Sequence, residues 1–598
     1  MPATRITVAL NSKQSQITPL LLPITANLEP SASDSCRAFV IKNAQAKLRL
    51  KKASRVYVAG TGQELLEEED WRNVLREDVV LLVSAGEEYV GLRKEEGAGA
   101  KSSGNHPDGN PDRSISILAQ TAPVDPLALT QVETTAHTLP GIVHAVAQPD
   151  LHPGTKFPIG AVFVSKGWIH PPLIGGDIGC GMAWYKTRLS GGQVEGDKGR
   201  RVAEKLRGLE GVWRTREDRE RWLTDGSGGQ DSSMSAGEEW ARSLGTIGAG
   251  NHFAELQVVE AFTSPDFDDE AEREDHMLRE GDVVLLVHSG SRGYGGDILK
   301  RYTAGGSVSI HESDPKAIEY MKEHDKACGW AKKSRDLIAL RFLACLEPGD
   351  DSWELGVNDR LQTSAEAIST TKAHLQQRKV VDIWHNNVEK IPWPPKPPCP
   401  STSNDLSPAT STLNIVSDGA QTPVYIHRKG AAPTHNPTTS LPLSILPLPG
   451  SRGTPTIILH PTFSESTGWG VKNGLSLAHG AGRAMSRAKA AAWVAQKYKG
   501  RANDLLRGGE AGKANAAGNK PTSSLSSSSG GATGTRKVGG EKVHGGTWVV
   551  CEEKRLVWEE APEAYKDVYA VCEDLVREGV AVAVGWCRAR VSYKVRDE

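Results

Sequence analysis

The chain has 598 residues, 38% hydrophobic and 24% charged, a globular composition at a length that calls for more than one small domain. Lys and Arg number 71 against 73 Asp and Glu, a net charge of −2, which excludes a polybasic chain that holds nucleic acid by bulk charge but leaves a local basic groove open. The longest apolar runs, such as Val79–Val83, are too short to span a bilayer, and Asn11, Ser12 and Lys13 break the apolar stretch at the N-terminus, so neither a membrane segment nor a secretory signal is expected. Eight cysteines without paired spacing fit a reducing, intracellular setting, cytoplasmic or nuclear, with free thiols.

In chain order, residues 1–95 read as a small α+β unit. Ile6–Leu10 alternates as a strand does, Arg55–Val58 and Val79–Val83 resemble two more, and Gly62–Arg76 has helical composition. With turns at Gly60–Gly62 and Ala85–Glu87, this predicts a ubiquitin-like β-grasp domain. Residues 96–115 lack hydrophobics and read as a flexible linker. The large remainder, 116–598, carries a Pro- and Ser-rich stretch at 391–420 and a Gly- and Ser-rich one at 507–545. Neither can bury enough apolar surface to offset its ordering entropy, so both are expected to be disordered insertions.

The densest chemical cluster is Gly175-Gly176-Asp177-Ile178-Gly179-Cys180-Gly181-Met182. A carboxylate and a thiol three residues apart among glycines can converge on one point, and both suit a divalent metal. A buried Cys in a Gly-rich turn explains the same residues equally well. Three histidines then follow beside turns. His252 follows Gly248-Ala249-Gly250-Asn251, His288 ends the apolar run Val283–Val287, and His385 ends Val380–Trp384. One such His is more often structural. Three of them with Asp177 and Cys180 could hold one or two metals, and ligand softness alone favours zinc.

The last cluster runs from Leu477 to Lys489. Ala481–Lys497 has helical composition, which would set His479 just before a helix N-terminus, where a phosphate is favoured, and put Arg483 and Arg487 on one helix face. A capping role beside a solvated basic face is the alternative. The turns Arg428-Lys429-Gly430 and Pro449–Thr454 can cradle anions, and no Walker-type P-loop occurs.

Taken in order, these segments resemble the RtcB family of RNA ligases. The matching stretches are PDLHPGTKFPIGAVF at 149–163, GGDIGCGM at 175–182, GTIGAGNHFAEL at 245–256, VHSGSRGYG at 287–295 and HNNVE at 385–389. They continue with HRKGA at 427–431, PGSRGT at 449–454, SLAHGAGRAMSRAKA at 476–490 and AYKDV at 564–568. HPGTKFPIGAVF and IHPPLIGGDIGCGM are most similar to the branch coupled to peptide release factor H. The resemblance runs from about residue 120 onward, outside the two insertions, and implies an α+β ligase fold of layered β-sheets flanked by helices.

The resemblance also implies a manganese- and GTP-dependent ligase joining RNA with a 3′-phosphate or 2′,3′-cyclic phosphate to RNA with a 5′-hydroxyl, in RNA repair or tRNA splicing. By motif, Asp177, Cys180, His252, His288 and His385 would hold two manganese ions with Cys180 bridging, in place of zinc. His479 would take GMP from GTP. Asn251, His252, Phe253, Ala254, Glu255, His385, Asn386, Pro449, Gly450, Ser451, Arg452, Thr456, His479, Gly480, Ala481, Gly482 and Lys594 would contact guanylate, Lys594 at the base. Arg452 departs from the Met common in that turn, and Ala432-Pro433 departs from a small or hydroxyl residue followed by Arg. A metal-dependent cyclic phosphoesterase needing no GTP, and an RNA-binding scaffold with its N-terminal domain as a protein contact, are the competing readings.

Overall fold

The computed structural model describes residues 3–89, with breaks at 12, 24–31, 60–61, 67–69, 72–73 and 75–78. It also describes 113–594, with breaks at 210, 225–235, 265–277, 307, 358–360, 362, 397–420, 437–439, 499–546 and 552. The chain divides into two compact units, Met1–Gly109 and Asn110–Glu598.

The first unit runs β1 (Ala3–Leu10), β2 (Lys13–Pro23), α1 (Ala32–Lys47), β3 (Arg55–Val58) and β4 (Val80–Ser84). Its sheet has the order β2-β1-β4-β3, with β1 and β4 parallel at the centre and the outer pairs antiparallel. Val40 and Ala44 of α1 join Ile6, Val8, Val56 and Leu81 in one apolar core. β2 and α1 are elements that the sequence reading did not contain. Of the expected helix between Gly62 and Arg76, Asp70, Trp71 and Val74 are helical, and much of the rest lies outside the described residues.

The second unit begins as strand before the linker was expected to end. β5 (Ser114–Ile117) pairs in parallel with β6 (Ile142–His152), because Ile115 reaches the core under α2 (Pro126–Thr138). After β7 (Ile159–Ser165) and β8 (Trp168–Ile169) come β9 (Gly181–Ser190), β10 (Phe253–Phe262) and β11 (Asp282–Ser289). β12 (Ile310–His311) and the long helix α3 (Pro315–Leu346) precede β13 (Lys379–Trp384), β14 (Asn386–Trp393), β15 (Thr422–Lys429) and β16 (Ala431–Pro433). The chain ends with β17 (Leu446–Pro449), β18 (Thr456–Pro461), β19 (Ser476–Ala478), α4 (Arg487–Tyr498), β20 (Trp548–Val550) and β21 (Ala581–Tyr593).

The large sheet has the order β13-β9-β11-β10-β21-β18-β17, with β20 against β21, and a second sheet has the order β14-β15-β7-β6-β5. The unbroken apolar run of β11 reflects burial on both faces. Val283, Leu285 and Val287 enter one core with Trp330, Leu337 and Leu340 of α3, while Val284 and Leu286 enter another with Met182 and Trp184. Asp314 caps α3 by accepting from the Lys316 N–H, and Pro315 sits at its first turn.

β14 runs to Trp393 with Ile391 buried, so residues 391–393, expected as the start of a Pro-rich insertion, are strand. Pro392 is tolerated because β14 is a sheet edge. The described part of that segment ends at 396, and the expected insertion at 507–545 lies wholly outside the described residues. The seven described cysteines are free thiols, and among the described residues no helix is long and apolar enough to cross a membrane.

Candidate active site

Strand register brings four chemical side chains to one end of the large sheet. Phe253 lies opposite His288, His288 opposite Met182, and Trp384 opposite Gly181. His252 therefore enters β10, Cys180 enters β9, His288 closes β11 and His385 follows β13, all at the same end. Backbone hydrogen bonds from the His385 N–H to Cys180 O (2.8 Å) and from the Gly179 N–H to Asn386 O (2.8 Å) lock this corner.

The side chains then converge. Cys180 Sγ lies 3.4 Å from Nε2 of both His252 and His288, and His385 Nε2 lies 3.0 Å from His288 Nε2. His252 Nε2 is 2.8 Å from Asp177 Oδ2. All five of these residues were singled out from the sequence. Nδ1 of His252, His288 and His385 is buried with no hydrogen-bond partner among the described residues, so each ring makes its polar contacts on its inward edge.

Burial holds His288 and His385 well below the usual imidazole pKa, so both are neutral with a lone pair to offer. Burial opposes ionisation of Asp177, but His252 and the Arg292 N–H outweigh it and keep the carboxyl below its ordinary value. Burial, reinforced by Asp177, pushes the Cys180 thiol well up, a cost that a cation at this point would reverse. Ligand atoms of Cys180, His252 and His288 all lie within 4.8 Å of one another, and the group could hold a metal ion. This donor set of thiol, neutral imidazoles and a carboxylate fits a divalent transition metal.

The surrounding backbone is shaped for the carboxylate. Asp177 Oδ1 accepts the Arg292 N–H at 2.7 Å, and a Cβ on Gly290 would lie 2.3 Å from that oxygen, so only glycine fits there. Arg292 pays for its place with a left-handed φ of 62°. From α3, the buried Arg335 donates to Gly179 O (3.0 Å) and Ser289 O (2.9 Å), next to Cys180 and His288, and forks onto Asp382 Oδ1 at 2.7 and 3.0 Å.

His479 stands beside this cluster, its ring 4.5 Å from that of His385, held by the short pairing of β19 with β16. Its Nδ1 is 2.8 Å from Oδ2 of Asp150, a fully buried carboxylate on β6. With the Nδ1–H donating to that carboxylate, Nε2 keeps its lone pair. Gly482 makes the approach feasible, since a Cβ there would lie 2.2 Å from Asp150 O. Lys566 buttresses the same strand by donating to Pro149 O (3.0 Å) and Leu151 O (2.6 Å).

One expectation about this loop is overturned. The helix begins at Arg487, with Ser486 Oγ accepting from the Lys489 N–H, and not at Ala481. Gly482 with φ of 69° and the bridge between Arg483 and Tyr565 hold the intervening residues out of helical geometry. His479 therefore gains nothing from a helix N-terminus. Arg483 and Arg487 do not share a helix face, yet they converge on the buried Glu560, at 3.1 and 3.4 Å.

The remaining expected residues fall into two groups. Pro449–Arg452 form the turn against which His479's loop docks, with the Ala481 N–H donating to Pro449 O at 3.0 Å. Phe253 carries Lys594 Nζ over its ring at 5.9 Å, and the buried Glu255 accepts from Gln257 Nε2 at 3.0 Å. Ala254 is buried inside β10 and Asn251 is exposed at the rim. Asn386 is already engaged, donating to Asp177 O (3.2 Å) and accepting from the Gly430 N–H (3.0 Å). Thr456 is buried and accepts from Gln257 at 2.8 Å.

Residues not assigned from the sequence include Asp150, Arg335 and Lys429. Lys429 lies beside Gly175, its amine desolvated, its pKa lowered by burial, with no ion pair among the described residues. Asp150 sits inside a motif quoted above, and that was its only signal, whereas Lys429 also belongs to the Arg428-Lys429-Gly430 turn read as an anion cradle.

A family model described as tRNA-splicing ligase RtcB matches residues 131–210, 208–391 and 410–514. The chain is 30% identical over 486 residues to RNA-splicing ligase RtcB2 of Escherichia coli, a match spanning 81% of this chain and 96% of that protein. It is 25% identical over 511 residues to tRNA-splicing ligase RtcB of Thermococcus kodakarensis, and 25% over 497 to tRNA-splicing ligase RtcB of Methanococcus maripaludis. Each of these covers 75% of this chain and 87% of the relative.

Proposed function

The chain belongs to the RtcB family, and from that premise we propose that it is a GTP- and manganese-dependent RNA ligase joining 3′-phosphate or 2′,3′-cyclic phosphate ends to 5′-hydroxyl RNA. The observation that carries the reading is His479, with Nδ1 on Asp150 and its ring against His385 at the edge of the Cys180–His252–His288 cluster.

Asp177, Cys180, His252, His288 and His385 would hold the two manganese ions, which supply positive charge against the phosphate oxygens. Asp150 keeps the His479 Nδ1 proton in place and aims Nε2 outward. Nε2 attacks the α-phosphorus of GTP and pyrophosphate leaves, so His479 carries GMP. GMP then moves to the RNA 3′-phosphate, and the 5′-hydroxyl attacks that phosphorus, expelling GMP. A cyclic phosphate is first opened by water. Lys429 and Arg292 bring positive charge to the phosphate side, while Glu255, Phe253, Lys594, Asn251 and the Pro449–Arg452 turn form the guanylate side with Gly480–Gly482. Asn386 and Thr456 act there by holding their neighbours.

We read the first unit as a grasp-type domain that makes a protein contact. Its central parallel β1–β4 pair and crossing α1 support that reading. The test of the activity is ligation of an RNA ending in 2′,3′-cyclic phosphate to a 5′-hydroxyl RNA. Product that requires both GTP and manganese supports the reading. Cyclic-phosphate opening alone, indifferent to GTP, would make the protein a phosphoesterase.

A further inference from the structure

The first unit concentrates positive charge around the C-terminal end of α1. Residues 37–55 hold seven basic side chains, Arg37, Lys42, Lys47, Arg49, Lys51, Lys52 and Arg55, and no acidic one, in a chain whose net charge is −2. Two of the seven are engaged, Arg37 with Ser54 O at 2.7 Å and Arg55 with Glu64 at 2.7 Å. Lys42, Lys47, Arg49, Lys51 and Lys52 are exposed, and none forms an ion pair among the described residues.

The local fold presents these five to water. Past the last turn of α1, closed by the Leu48 N–H on Ala44 O (3.0 Å), Arg49 takes a left-handed φ of 56°. Leu48 and Ala53 are buried and Leu50 packs against the same core, so the chain is pinned at its apolar positions while Lys47, Arg49, Lys51 and Lys52 face outward. The helix dipole accounts for Lys47 in the last turn, but not for Lys42 before it or for the three cations past the end. Five unpaired cations within eleven residues add their fields. The exposed large apolar side chains of this unit, Ile17, Leu66 and Val80, all lie outside the stretch. A protein interface is built around buried apolar anchors, whereas a phosphate backbone is held by charge.

We propose that this corner of the first unit binds the phosphate backbone of single-stranded RNA without reading its sequence, a second hold on the substrate of the same chain. The family match begins at residue 131, so the patch lies outside the part of the chain shared with the family. The inference rests on the ligase reading for the identity of the polyanion. It goes beyond the protein contact proposed for this unit, which the apolar residues elsewhere on the unit suit better.

The test is equilibrium binding of a labelled single-stranded RNA to the full-length protein, without GTP, over a series of salt concentrations. One variant combines Lys42→Gln, Lys47→Gln, Arg49→Gln, Lys51→Gln and Lys52→Gln. A control removes the same charge from exposed positions of the second unit, with Lys198→Gln, Arg201→Gln, Lys205→Gln, Lys316→Gln and Lys322→Gln. The patch variant should bind about tenfold or more weaker at low salt, for any RNA sequence, and its slope of log affinity against log salt should be shallower by up to about 3, at ~0.7 per phosphate contact. The control should bind as wild type does, and His479 labelling by GTP should be equal in all three. Unchanged affinity and slope in the patch variant would overturn the assignment and leave the patch to an acidic protein surface. Equal loss in patch variant and control would overturn it too, as an effect of net charge. Wild type that takes no label from GTP would strike the ligase reading instead, with the difference in RNA affinity still there to be read. An unchanged melting transition certifies that the variants are folded.

Discussion

At His479 the chemistry depends on which ring nitrogen carries the proton, and Asp150 decides it. The carboxylate is fully buried and 2.8 Å from Nδ1, so the proton is held there and Nε2 keeps its lone pair. Asp150→Asn keeps the shape but removes the charge, and its amide can present an N–H to Nδ1, which favours the wrong tautomer. We expect Asp150→Asn to lower the rate of His479 guanylylation by at least about a hundredfold while GTP binding changes little. A loss confined to binding would show Asp150 to be a pocket residue. Asp150 could not have been singled out by residue type, because it lies near the end of a strand that is buried along nearly its whole length. His252, His288 and His385 were legible for the opposite reason, since each stands where an apolar run meets a turn.

Among the elements, α3 does more than cover the large sheet. Arg335 ties the backbone before Cys180 and after His288 to Asp382 on β13, so one helix sets the spacing of three strand ends. Arg335→Met leaves the buried Asp382 with the longer Lys379 contact at 3.7 Å and removes the donors to Gly179 O and Ser289 O, which should cost about 3 kcal/mol in chemical denaturation and lower metal occupancy as well. Unchanged stability would mean that the ion pair is dispensable. β14 carries a second buried network, Glu389 with Arg428 at 2.6 Å and His435 at 2.8 Å. Burial opposes the Glu389 charge, but His435 and Arg428 outweigh it and draw the carboxyl down from its ordinary 4.5 to about 2. The unfolded chain therefore takes up this proton at higher pH than the folded one. Glu389's contribution is full above pH 4.5 and is lost as pH falls towards 2. The stability gap between wild type and Glu389→Gln should shrink as pH falls from 4.5 towards 2, and a gap flat across that range would contradict the assignment. The helix start was misread at this scale. The Ala-, Lys- and Arg-rich composition extends back to Ala481, but Gly482 and the Arg483–Tyr565 bridge impose a tertiary geometry that composition does not record.

For the whole molecule, the α+β class and the ordered motifs were legible because they sit on long apolar strands and Gly-rich turns. β2 and α1 of the first unit were not, since α1 mixes polar and apolar residues with little periodicity and only Val40, Ala44 and their neighbours are held by the sheet. The second unit gathers one sheet end, the His479 loop and one basic corner around the cluster, and the account stands or falls on whether these act together. The direct measurement is incubation of the purified full-length protein with manganese and α-labelled GTP, scored for acid-labile label on the chain. The account predicts label on wild type and none on His479→Ala, with metal content equal in the two. Label that survives in His479→Ala, or wild type that binds manganese yet takes no label, would contradict it.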